Sequence, residues 1–143
     1  MNAPLAKLSK RTAVISWICQ LFPAVILLQT LYFKFTAAPE TVYIFDTIGL
    51  GAAGRIGSGV VELIAGVCLL IPRLAWLGAV LAIGTLTGAI ATHLGPLGIT
   101  FDYPGGHEDG SLFALACLSW VSSAVVLYIR RQSIPIIGSK LVK

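Results

Sequence analysis

Charge is what this chain has least of: ten Lys or Arg and six Asp or Glu stand among 143 residues, 11% of the total. Ordinary globular domains carry about 25%. A small water-soluble fold has a high surface-to-volume ratio and must cover itself with polar groups, which so few charges do not provide. That excludes an ordinary soluble enzyme, a disordered tail and a nucleic-acid-binding domain. Cysteine is scarce too. Cys19, Cys68 and Cys117 each stand alone in a different apolar run, with no CxxC, so neither a redox dithiol nor a zinc site is indicated. They read as small buried hydrophobes. There is no phosphate-binding loop and no Ser/His/Asp set. A bis-histidine haem needs two histidines within the apolar runs, and His107 lies outside them.

Apolar residues are what the chain has instead, 57% of it against roughly 45–50% in soluble domains. A membrane-spanning helix needs about 20 predominantly apolar residues. Four segments meet that need, at about 12–33, 55–71, 74–94 and 111–129. The fold class that follows is all-α, a single-domain integral membrane four-helix bundle in a lipid bilayer. The first run follows Lys7, Lys10 and Arg11 but exceeds the 7–15 residues of a signal-peptide core, so it reads as a retained helix. Lys and Arg favour the cytoplasmic side of a membrane. Placing both termini in the cytoplasm puts eight of the ten basic residues there and leaves Lys34 and Arg55 outside.

The connection Ile71-Pro72-Arg73-Leu74 makes the second and third spans antiparallel neighbours. In the longer connection before the second span, Pro39-Glu40 is a helix start. Pro has no N–H to lose there, and Glu complements the helix dipole. Val42, Phe45 and Ile48 recur at helical spacing before Gly49 and Gly51 stop the run. This predicts a short amphipathic helix at the outer interface. Trp17, Trp76 and Tyr128 fall near one boundary and Tyr32, Tyr43 and Tyr103 near the other, as an aromatic belt does.

The second span has two faces. Ile56, Val60, Ile64, Val67 and Ile71 form a β-branched stripe suited to lipid. Opposite lie Arg55, Ser58, Gly59, Glu62, Ala65 and Gly66, and small residues of this kind let helix backbones approach. An ionised carboxylate at the centre of a spanning helix costs roughly 2.5–3.5 kcal/mol, so Glu62 needs a partner or a proton. Arg55, on the same face about 10 Å along the axis, is one candidate. Lys34 is another, at the end of the stripe Ser16, Gln20, Pro23, Thr30 and Lys34. In the third span Gly78, Ala82, Thr85, Ala89 and His93 share a stripe, with Gly84 and Gly88 beside it as a small-xxx-small packing motif.

If the stripes converge, Lys34, Arg55 and His93 ring the outer mouth of a polar pocket, with Glu62 about two helical turns below. Each residue also has a plainer reading. Glu62 is structural glue or stays protonated, Lys34 and Arg55 snorkel to the headgroups, and His93 is a hydrogen-bonded interface residue. Asp102, His107, Glu108 and Asp109 lack ligand spacing, so no metal site is expected, and Asp109 reads as the cap of the last span.

The runs Lys34-Phe35-Thr36, Pro39-Glu40-Thr41-Val42 and Gly54-Arg55-Ile56-Gly57-Ser58-Gly59-Val60-Val61-Glu62 carry a further signal, with Leu70-Ile71-Pro72-Arg73 and Asp109-Gly110-Ser111-Leu112-Phe113. With these the chain resembles the DoxX and DoxX-like family of bacterial membrane proteins, over residues 12–131. The resemblance implies a four-helix protein of the bacterial inner membrane. Some members are named as small subunits of quinol oxidase or thiosulfate:quinone oxidoreductase systems, and others accompany soluble redox enzymes. Quinone-linked bundles of the vitamin K epoxide reductase type use paired cysteines, which this chain lacks.

The expected function is therefore an accessory subunit rather than a self-contained enzyme, with a quinone as the ligand of the pocket. Its partner is a membrane or soluble redox protein, or a second copy of the chain. A proton-coupled transporter acting as a dimer through Glu62 is one alternative. A structural or assembly subunit is the other.

Overall fold

The computed structural model describes residues 7–135. Lys140 and Lys143, two of the basic residues assigned to the cytoplasmic side, lie outside them. Four long helices account for most of the chain: α1 (Lys10–Phe35), α3 (Gly51–Leu70), α4 (Ala75–Leu94) and α5 (Ser111–Arg130). All four are long and apolar enough to cross a membrane. At 1.5 Å per residue, the 20-residue helices span about 30 Å, the thickness of a hydrocarbon core. A short helix, α2 (Pro39–Thr47), lies between α1 and α3. The helices pack in the ring order α1, α3, α4, α5, with α5 closing back on α1.

Local chemistry sets the ends. Ser9 caps α1, its Oγ accepting the Thr12 N–H at 3.2 Å. Pro39 opens α2 as expected. Gly49, with φ +76°, separates α2 from α3 in a backbone region that other residues rarely enter. The second span starts at Gly51 rather than at residue 55, because the Gly51-Ala52-Ala53-Gly54 stretch, glycine-rich as it is, continues the helix.

The connection between α4 and α5 holds an element not read from the sequence, a two-stranded antiparallel hairpin of β1 (Phe101–Tyr103) and β2 (Gly106–Glu108). Pro104-Gly105 forms its turn, with Gly105 at φ +100°. Tyr43 of α2 stacks on Phe101 with centroids 5.7 Å apart and ties α2 to the hairpin.

The bundle is built inside out relative to a water-soluble one. Its apolar core is dominated by alanine, with Ala24, Ala65, Ala75, Ala79, Ala82 and Ala116 all buried. Its large apolar side chains face outward, including the lipid stripe of α3, where Ile56, Val60, Ile64 and Val67 are exposed. Small residues inside and bulky ones outside is the arrangement that lipid solvent favours.

The closest backbone approach is at Gly78, where an added Cβ would meet Leu69 N at 2.5 Å and Ala65 O at 2.8 Å. Gly66 is covered by Leu28, 2.8 Å from the position a Cβ would take, and Gly59 by the Phe35 ring at 3.0 Å. The close packing expected at Gly84 and Gly88 is not found within the chain. Nothing lies within 4 Å of where a Cβ would stand at either position; both glycines are exposed, and Gly88 borders the cavity described below.

The two ends of the bundle differ in charge. One end carries the start of α1, the α3–α4 turn and the end of α5, and with them Lys10, Arg11, Arg73, Arg130 and Arg131. The other carries α2 and the hairpin, with Glu40, Asp46, Asp102, Glu108 and Asp109. We call these the basic and the acidic end.

Candidate functional site

At the acidic end the helices enclose a cavity of about 560 Å³, lined by all five helices and by Glu108 of the hairpin. Its walls are mainly apolar, with Phe33, Ile44, Phe45, Leu86 and Leu115 prominent. Of the polar residues on it, Thr30, Lys34, Ser58, Glu62, Thr85 and His93 sit where the sequence stripes place them.

Thr30 and Lys34 are four residues apart, one turn, and face α3 together. Lys34 Nζ forms an ion pair with Glu62 Oε1, and Thr30 Oγ1 lies 3.0 Å from Glu62 Oε2. The two charged side chains are only 12% and 10% exposed. Charge-assisted hydrogen bonds of this kind strengthen in a low-dielectric setting, so each group satisfies the other's need in a span. Phe45 of α2 covers the pair, its ring centroid 5.7 Å from Lys34 Nζ.

Arg55 is not part of this cavity. Its Nη1 donates to the backbone carbonyl of Lys34, one of the last carbonyls of α1, which have no partner within their own helix. Arg55 is therefore a buried cap that complements the α1 dipole, not a rim of the pocket. The expected ring of Lys34, Arg55 and His93 above Glu62 is thus corrected. Lys34 and His93 line the cavity, Arg55 does not, and Glu62 touches Lys34 rather than lying two turns below it.

His93 ends the α4 stripe and is buried between Phe101 and Phe113, with ring centroids at 6.0 and 5.9 Å. Its Nδ1 lies 2.9 Å from the Gly98 carbonyl. A carbonyl only accepts, so Nδ1 carries a proton and donates it to Gly98. Thr85, Ala89 and His93, all on that stripe, line the cavity.

The sequence marks Glu108 only as a member of a loop cluster, and the strand geometry explains what it does. Alternation points Asp102 and His107 to one side, where they form an exposed cross-strand pair at 2.6 Å. Phe101 and Glu108 turn to the other side and are buried. The Glu108 carboxylate accepts from Gly110 N (3.1 Å), Leu112 N (2.8 Å) and Ser111 Oγ (3.0 Å), and so caps α5. Asp109, the cap expected from the sequence, accepts only from Ser111 N at 3.1 Å. That bond holds its carboxyl below the usual range. The four loop residues therefore do not converge.

Glu40 of α2 also lines the cavity, facing Glu108. Burial raises its pKa first, and the nearby Glu108 carboxylate raises it further. The site thus combines an apolar chamber, a buried Lys–Glu pair on its wall, a buried imidazole and two further carboxyls, Glu40 and Glu108. No family model, no curated protein and no solved structure matches the chain.

Proposed function

We propose that the protein is a DoxX-like membrane subunit of a quinone-linked redox system and that the cavity receives the quinone headgroup. The observation that carries this reading is the Lys34–Glu62 pair on the wall of an apolar chamber of about 560 Å³. Ligand pockets typically measure roughly 300–1,000 Å³ and combine apolar walls with a few convergent polar groups. A quinone is a flat apolar ring with two carbonyl acceptors. Lys34 donates to one carbonyl, Glu62 holds Lys34 in place and relays a proton, and Phe33 and Phe45 flank the ring. Electrons come from a partner redox protein. The residue patterns that resemble the family supply the choice of quinone and the bacterial inner membrane. Clustering of basic residues at one end supports placing that end, and both termini, in the cytoplasm.

The test is equilibrium binding of a short-tailed quinone to purified protein in detergent. Lys34→Met and the double variant Lys34→Met/Glu62→Gln should each weaken binding at least tenfold. Affinity unchanged in the folded double variant overturns the assignment.

A second reading, a proton-coupled transporter acting as a dimer, is favoured by the three carboxyls of Glu40, Glu62 and Glu108 on one cavity. Proton flux into liposomes that disappears in Glu62→Gln, with no quinone bound, would select it.

A further inference from the structure

The other end of the molecule holds a buried cation that no acidic group of the described residues accompanies. Arg130 closes α5 and is 7% exposed. Its Nε donates to Ser16 Oγ of α1 at 3.0 Å, and Gln20 Nε2 donates to the same oxygen at 2.6 Å. Ser16 and Gln20 are both fully buried. With two donors on its oxygen, the Ser16 hydroxyl keeps its own proton to give.

Guanidinium has five N–H donors and does not lose its proton in proteins, so Arg130 stays charged with its terminal amino groups still to be satisfied. Among the described residues no carboxylate accompanies it. All six Asp and Glu side chains lie elsewhere, Glu62 within α3 and the others at the acidic end. The α5 carboxyl-terminal dipole attracts the cation, but among the described residues the side chain's bond is to Ser16 alone.

Beside Ser16, Gln20 Oε1 is buried without a partner. Around them the surface is basic and lipid-facing. Lys10 and Arg11 open α1 one to two turns before Ser16. Arg131 lies over the Tyr128 ring at 4.1 Å, and Tyr128 itself is exposed.

We propose that the basic end of the α1–α5 seam binds the phosphate of an anionic phospholipid headgroup, gripped by the terminal amino groups of Arg130 and flanked by Lys10, Arg11 and Arg131. Arg presents a planar fork that matches phosphate oxygens two at a time. Ser16 orients that fork by holding Nε, and Gln20 holds Ser16. The bilayer thereby supplies the anion that the described residues do not. This site is separate from the cavity at the acidic end and does not depend on what that cavity holds.

The test is native mass spectrometry of the full-length protein released from detergent with phosphatidylglycerol, with phosphatidylcholine, or with inorganic phosphate. The wild type should retain phosphatidylglycerol over phosphatidylcholine by about fivefold or more, the factor that one basic contact to an anionic headgroup supplies. Arg130→Met should abolish the preference. Arg130→Lys keeps the charge and loses the fork, and Ser16→Ala keeps the arginine and frees it; both should reduce the preference while the protein remains helical and monodisperse. An undiminished preference in folded Arg130→Lys and Ser16→Ala overturns the proposal. So does a preference lost in Arg131→Gln but kept in Arg130→Lys, which would mark diffuse surface charge. Retention of inorganic phosphate equal to that of phosphatidylglycerol overturns the lipid as its source.

Discussion

Removing Lys34 and removing Glu62 should not cost the same, and removing both should cost less than removing Lys34 alone. In Lys34→Met the Glu62 carboxylate stays in the middle of α3 with only Thr30 beside it. Leaving one member of a buried pair uncompensated costs about 3–5 kcal/mol, and a lone carboxylate in a span about 2.5–3.5 kcal/mol, so a loss near 3 kcal/mol is expected. In Glu62→Gln the surviving charge sits on a long flexible stem in the last turn of α1. It can swing toward the headgroups, and the loss should be nearer 1–2 kcal/mol by the same scales. The double variant buries two neutral groups of similar volume, an exchange that is often close to neutral. With single losses of about 3 and about 1–2 kcal/mol and a near-neutral double variant, the cycle should return a coupling energy of about 4–5 kcal/mol. The assay is reversible unfolding in mixed micelles, followed by far-ultraviolet circular dichroism. Additive losses, with the double variant as unstable as the two single losses combined, would refute the claim that these groups satisfy each other.

Three further outcomes follow from the packing and the capping. Gly78→Val drives a side chain into the α3 backbone at Leu69 and should cost about 1–3 kcal/mol or more, whereas Gly84→Ala meets open space and should be neutral or slightly stabilising in the same micelle assay. Glu108→Gln weakens a charged cap on three donors and should cost about 1–2 kcal/mol, read as earlier fraying of α5 by hydrogen exchange at Ser111 to Ala114. The raised Glu40 carboxyl contributes stability that is full below its unfolded pKa and lost as pH rises through its higher folded value. Glu40→Gln should therefore flatten the pH dependence of the melting temperature above the ordinary carboxylate range, and a profile identical to wild type would contradict the Glu40–Glu108 proximity.

The parts of this molecule that were legible beforehand are those set by solvent. Apolar run length located the four helices, and the stripe from Ile56 to Val67 opposite Gly59, Glu62 and Gly66 told which side of α3 faces lipid. Pro39-Glu40 and Gly49 marked α2 because those residues act on their own backbone. What the pattern left open was which distant group each residue meets. Both Arg55 and Lys34 lay within reach of Glu62 along the stripes, and only the packing of α1 on α3 turns Arg55 to the Lys34 carbonyl and leaves Lys34 to the carboxylate.

Gly84 and Gly88 had the spacing of a packing motif, but spacing says nothing of which neighbour is near; the helix contact falls at Gly78 instead. Glu108 was hidden because its role depends on a three-residue strand that puts it opposite Phe101. Tyr103-Pro104-Gly105-Gly106 was the available turn signal. Arg130 counted only as one of eight charges at one end, and burial against Ser16 is a tertiary fact.

The most direct test of the account is to purify the protein from its native membrane in mild detergent, extract it with organic solvent and identify the small molecules and co-eluting proteins by mass spectrometry. A quinone present in the wild-type extract, lost from the folded Lys34→Met/Glu62→Gln variant, together with a stoichiometric redox protein, is the predicted result. An extract without quinone, or with as much in the variant as in the wild type, would contradict it.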